Sequence, residues 1–170
     1  MTASADAVSP GPISARTGDD TWFENFMVGA RWRHARGATV GEVENQLLTK
    51  LVMNTAQEHW NEHVMADSEW GSSRLVFGMI TGSLTIGLAS QDTAENALAE
   101  VGLSHVRFRA GVFHGDTLYA YTEVLGKSPA ARPDAGIVHF KHWGATADHR
   151  VVFECERTVL VKRRAHWRIR

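Results

Sequence analysis

The sequence predicts an α+β domain in which one long apolar helix lies against a strongly curved antiparallel sheet. Three observations carry this. Helical patterns come first along the chain and alternating strands follow, the order of an α+β architecture. Residues 77–92 run apolar with no charge until Asp92, and Gly78, Gly82, Ser83, Gly87 and Ser90 are interspersed among Met79, Ile80, Leu84, Ile86 and Leu88. In the last long segment Val151, Phe153, Cys155, Val159 and Val161 share one face while Glu154, Glu156, Thr158 and Lys162 share the other, with Arg157 interrupting the apolar side.

Taken in order, residues 1–20 are rich in Ala, Ser, Gly, Pro and Asp and show no apolar period, so they are expected to be disordered. The single domain is expected to span 21–164, with 165–170 as a basic tail. Thr39 and Glu42 have the spacing of a capping box. Val43, Leu47, Leu48, Leu51 and Val52 then fall on one helical face, so a helix ends near Met53, with Asn54 at its exit. A short helix is expected over 58–66. Segment 77–92 has poor intrinsic helix propensity because of its glycines. Close packing of a buried helix compensates, since small residues let a neighbour approach. Strands follow over 105–113, 117–125, 136–146 and 151–162, with turns at His114-Gly115-Asp116 and Asp148-His149-Arg150 and a loop over 127–135.

At 170 residues the chain has room for one domain. Lys plus Arg is 18 and Asp plus Glu 19, a net charge of −1, which disfavours nucleic-acid and anionic-membrane partners. One cysteine, Cys155, excludes an internal disulfide framework and multi-cysteine metal sites; it is expected to be an inert core thiol. No apolar run approaches the roughly 18 residues of a spanning helix, and no secretory signal pattern opens the chain, so the expected compartment is the cytoplasm. Lys162, Arg163, Arg164, Arg168 and Arg170 form a cluster without an acid among them. It reads first as a solubilising tail and second as a phosphate landing site.

Two motifs overlap at 54–63. His59-Trp60-Asn61-Glu62-His63 matches H-x-x-E-H, which on one helix could ligate zinc with Glu62 as general base. The pattern is short and the enzymes that use it are large, so no metal is expected. The second motif is Asn54-Thr55-Ala56-Gln57-Glu58-His59, followed by Gly78-Met79-Ile80-Thr81-Gly82-Ser83. With Val106 to Leu118, these stretches resemble the MaoC-like (R)-specific enoyl-CoA hydratases of the hot-dog fold. Arg132 to Val138 and Arg157 to Arg164 are similar to the mesaconyl-CoA (β-methylmalyl-CoA) hydratase branch. The resemblance covers roughly 21–164. It departs at Asn54, where many members carry Asp, at the absent proline between Asn54 and His59, and at Phe77, where a polar residue is usual.

The resemblance implies addition of water across a double bond conjugated to a thioester, or the reverse. Negative charge then builds on the thioester oxygen and needs an oxyanion hole. Gly78 and Met79, at the start of the apolar helix, are the candidates, because helix N-termini carry free amides and the positive dipole end. His59 has the intrinsic pKa of a proton relay near neutrality. Asn54 orients the water, since it cannot take a proton, and Ser83 supports the histidine or the water. Arg74 is the candidate partner for a second substrate carboxylate. Phe77, Arg107 and Phe108 are further substrate contacts. No metal or redox cofactor is implied; the partner is an acyl-CoA or acyl-carrier-protein thioester, and two sheets are expected to join edge to edge in a homodimer or a dimer-based higher oligomer. The alternatives are a hot-dog acyl-CoA thioesterase and a non-catalytic acyl-thioester-binding subunit.

Overall fold

Five antiparallel strands, β1 (Arg31–Thr39), β2 (Ala97–Phe108), β3 (Thr117–Pro129), β4 (Ala135–Thr146) and β5 (Val151–Lys162), form one sheet in the order β1-β3-β4-β5-β2. The computed structural model describes residues 11–71 and 73–167. Four helices accompany the sheet: α1 (Glu42–Leu51), α2 (Glu62–Ala66), α3 (Gly78–Thr93) and α4 (Arg164–Trp167). The 16-residue helix α3 packs along one face of the sheet, against β1, β3, β4 and β5.

Close contact between α3 and the sheet occurs where one side lacks a side chain. A Cβ at Gly82 would lie 2.8 Å from the Phe153 ring, and one at Gly144 would lie 2.2 Å from the Thr85 hydroxyl. These two glycines therefore set how near the helix can come to β4 and β5. Gly87, by contrast, faces open space. The core divides in two: Phe23, Phe26, Trp32, Val124, Val138, Phe140, Val159 and Val161 on one side; Val40, Val76, Ile80, Val112, Leu118, Val152, Phe153 and Cys155 beside α3 on the other. Burial pushes the Cys155 thiol up to about 11, which keeps it protonated and unreactive near neutrality.

Several sequence expectations are corrected. Residues 11–20 are ordered: Ile13 bridges to Arg33, and the Arg16 guanidinium stacks on Trp32 and Phe26. Residues 1–10 lie outside the described part. Strand β1 was not anticipated, because Arg31, Arg33, His34 and Arg36 mask its alternation. Strand β2 begins eight positions before His105, and β3 continues to Pro129. Thr39 caps nothing; it ends β1, and its hydroxyl pairs with that of Thr117. At the start of α1 the Glu44 carboxylate instead accepts from the Gly41 amide, and glycine has no side chain to complete a box. The left-handed exit is taken by Met53, not Asn54. In the 165–170 tail Trp167 donates its indole N–H to the Asp134 carbonyl, and just before it Arg164 reaches the Asp19 carbonyl and the Asn25 side chain. Arg163, over the Phe23 ring and 3.7 Å from Glu24, and Arg164 therefore clasp the two ends of the domain together, while Lys162 lies over the Trp167 ring; Arg168 and Arg170 lie outside the described residues.

The largest correction concerns α1. The apolar face that the sequence marks is exposed, with Val43 at 77% and Leu51 at 68%, whereas Asn45 and Thr49 are buried. The helix turns its uncharged polar side inward because that side has partners there.

A buried polar chain runs beneath the C-terminal part of α3. The Asp92 carboxylate accepts from His34 Nδ1 (2.7 Å), His34 Nε2 meets the Thr122 hydroxyl (2.6 Å), and Thr122 meets His142 Nδ1 (2.8 Å). Burial works to raise the Asp92 carboxyl, but the bonds from His34 and Ser14 and the charge of Arg16 offset it and hold the group below its ordinary value. Burial, with the charges of Arg157 and His34, holds His142 well below 6.5. His142 is therefore neutral when folded and takes a proton only when unfolded. Its contribution to stability is complete above the unfolded value and is lost as pH falls below it, at up to about 1.4 kcal/mol per pH unit. Urea midpoints should fall between pH 7 and pH 5, and His142→Leu should flatten that dependence. An equally steep loss in the variant would assign the effect elsewhere.

Candidate active site

The segment between α1 and α3 is tied down by its own backbone and by two side chains. Leu75 N–H donates to the Glu58 carbonyl, and Val76 N–H to the Val112 carbonyl. His59 sits in a 3-10 turn (Gln57–His59), half-buried, with Nδ1 3.1 Å from the Leu75 carbonyl. A carbonyl can only accept, so the neutral ring carries its proton on Nδ1 and leaves Nε2 as the basic nitrogen. The ring lies 5.4 Å, centroid to centroid, from that of Phe77, the residue that precedes α3.

At the start of α3, the amides of Ile80 and Thr81 both turn back to the Phe77 carbonyl. Gly78 and Met79 occupy the first two helical positions, whose N–H groups have no intrahelical acceptor. A Cβ at Gly78 would lie 2.8 Å from the Phe108 ring. The glycine thus makes room for Phe108 as well as for any ligand that approaches the amides. Two side chains meet the start of α3: His59 lies against Phe77, and Phe108 lies against Gly78.

Asn54 stands five residues before His59, and its Oδ1 already accepts from the Ala56 amide (2.9 Å). Its Nδ2 and the second lone pair of Oδ1 remain to contact a ligand. Ser83 is exposed one turn into α3, on the face that also carries Met79 and Gly87. The H-x-x-E-H residues do not share one helix: His59 is in the 3-10 turn, while Glu62 and His63 belong to α2.

Two candidates lie elsewhere. Arg74 is buried and committed within the chain: its guanidinium pairs with Glu42, lies 3.5 Å from Glu62, and donates to the Trp60 carbonyl. It clamps α1 to α2 and has no charge to spare for a substrate carboxylate. Arg107 points to the outer face of the sheet, where it shares the Glu154 carboxylate with Arg109. Phe108, one residue on, faces α3, because successive strand residues alternate. The residue that sequence reasoning missed is Asn45, 1% exposed, which bonds both Leu75 and Phe77. The available signal was a pair of uncharged polar residues, Asn45 and Thr49, four apart on a helix whose other polar positions are Glu42, Glu44, Gln46 and Lys50.

A family model described as mesaconyl-CoA hydratase matches residues 17–163. The chain belongs to this family. The mesaconyl-CoA hydratase of Haloarcula marismortui is 32% identical over 89% of this chain and 44% of its own length. A crystal structure from Chloroflexus aurantiacus, described as a MaoC domain dehydratase, superimposes with a TM-score of 0.77 at 28% identity, covering 94% of this chain and 51% of that one. A Mycobacterium tuberculosis protein with a double hotdog fold superimposes with a TM-score of 0.76 at 19% identity, covering 88% of this chain and 46% of that one. The fold is therefore the α+β hot-dog, and this mesaconyl-CoA hydratase family chain spans about half the length of these relatives. Among the described residues no helix is long and apolar enough to cross a membrane.

Proposed function

We propose that this chain is a hydro-lyase unit that adds water to, or removes it from, the double bond of an α,β-unsaturated acyl thioester, with a mesaconyl-CoA-like branched acyl group as the substrate class. The carrier is coenzyme A or an acyl carrier protein. The observation that supports this is the placement of the His59 ring against Phe77, the residue that immediately precedes the first amides of α3. In the hydration direction, water held by Asn54 Nδ2 gives a proton to His59 Nε2 while its oxygen bonds to Cβ. The π electrons move onto the thioester oxygen, which accepts from the Gly78 and Met79 amides. The enolate then collapses and Cα takes the proton from the imidazolium. Phe77 and Phe108 hold the acyl group, and Ser83 contacts the water or the carrier from the open side. The reaction needs neither metal nor redox cofactor.

A second hot-dog unit, here a second copy of the chain, completes the molecule in this reading. Strand β2 is exposed along nearly its whole length, leaving an unpaired edge with Val101, Leu103 and Phe108 on it. The Met79–Ser83–Gly87 face of α3 is also uncovered, and small residues at two of those positions permit close approach. The test is a mass-spectrometric screen of the full chain with enoyl-CoAs, mesaconyl-CoA included, on material whose mass is first read by light scattering. A dimer and a gain of one water are expected. A monomer removes the second copy; free thiol release in place of hydration makes the protein a thioesterase, and binding without turnover makes it a non-catalytic subunit.

A further inference from the structure

We infer that Asn45 is a positioning residue for this site, one buried side chain that fixes both the proton-accepting nitrogen of His59 and the free amides at the start of α3. The inference rests on the proposed hydro-lyase reading for its catalytic consequence, but not for its geometry. Asn45 Nδ2 donates to the Leu75 carbonyl (3.1 Å), and Oδ1 accepts from the Phe77 N–H (3.0 Å). The amide orientation is dictated by these partners, since a carbonyl only accepts and a backbone N–H only donates.

Each bond has a chemical result. The Leu75 carbonyl receives two donors, Asn45 Nδ2 and His59 Nδ1, one for each lone pair. Asn45 thereby anchors the oxygen that selects the His59 tautomer and leaves Nε2 unprotonated. At the other end, Phe77 precedes α3 and contributes no capping side chain. Asn45 Oδ1, supplied from α1, satisfies the Phe77 amide, so the next amides, Gly78 and Met79, stay available to a ligand oxygen. Thr49 supports the arrangement with a hydroxyl 3.4 Å from Asn45 Oδ1. This accounts for the inverted helix α1: its polar face is inward because the catalytic segment is bolted to it. A purely structural amide could have bonded any pair of backbone groups; this one bonds the His59 acceptor and the α3 cap.

The experiment reads the tautomer directly, by 15N chemical shifts of His59 in the full-length wild type, Asn45→Ala and Asn45→Asp. Asn45→Asp keeps the shape and the acceptor for Phe77 while losing the donor to Leu75. Wild type should show an Nδ1–H ring with an unprotonated Nε2, and both variants should shift toward Nε2–H. In hydration assays kcat should fall about 10- to 100-fold, as expected when a general base is misaligned, with KM changed by less than about threefold, the mark of an interaction used in the transition state rather than in binding. An Nε2–H ring in wild type overturns the inference whether or not either variant folds. So does a folded variant that keeps the wild-type tautomer and kcat. If the wild type hydrates nothing, the functional reading fails, and the tautomer result still judges the role of Asn45.

Discussion

His59→Ala should lower the hydration rate by about 10²- to 10⁴-fold, the contribution of a positioned general base or acid, while the protein remains folded. In the proposed mechanism the loss falls on kcat, because there the imidazole acts on the water and not on the carrier. The fold survives because His59 is half-buried and its side chain makes one hydrogen bond, to the Leu75 carbonyl, which keeps Asn45 as its other donor. The stability change is therefore about 1 kcal/mol, the net worth of a single hydrogen bond. Loss of the enoyl-thioester absorbance follows the reaction, and a urea melt follows the fold. A variant that turns over at the wild-type rate would place the chemistry on another residue. A variant that unfolds would mean that the Leu75 carbonyl depends on the ring.

Phe140→Ala should cost about 3–5 kcal/mol of stability, enough to leave a domain of this size marginal at 37 °C. Phe140 is fully buried in strand β4, packed edge-on against Phe26 at 5.1 Å between ring centroids and stacked on His142 at 5.7 Å. Its neighbours Val124, Val138 and Val159 lie on three adjacent strands. They cannot collapse into the vacancy without disturbing the ladders, so the cavity persists and its cost adds to the lost transfer energy. Denaturant midpoints measure the loss. A change below about 1 kcal/mol would mean that this half of the core relaxes freely, contrary to its fully buried ring packing.

How much of this was legible in the sequence depended on the range of the forces involved. The helix α3 was readable because its apolar run, broken only by small residues, has no other soluble use. Strand β5 was readable because alternation is a local pattern. Strand β1 was not, since its solvent face is arginine-rich and its buried residues, Trp32 and His34, are two among nine. In α1 the periodicity was detected and its meaning reversed: the apolar stripe points outward, and Asn45 and Thr49 point in.

By itself the sequence determined the α+β layout, the buried glycine-containing helix and the spacing that carries Asn54, His59 and Gly78 in order. These follow from local propensity, periodicity and chain order. Tertiary structure alone decided that Arg74 is held by Glu42 and Glu62, that Arg107 lies on the opposite side of the sheet from Phe108, and that Asn45 joins the histidine's acceptor to the helix mouth. Each of these is a contact between elements distant along the chain. A polar side chain's role is set by which donor or acceptor the fold brings within about 3 Å of it, and no local pattern in the residues encodes that meeting.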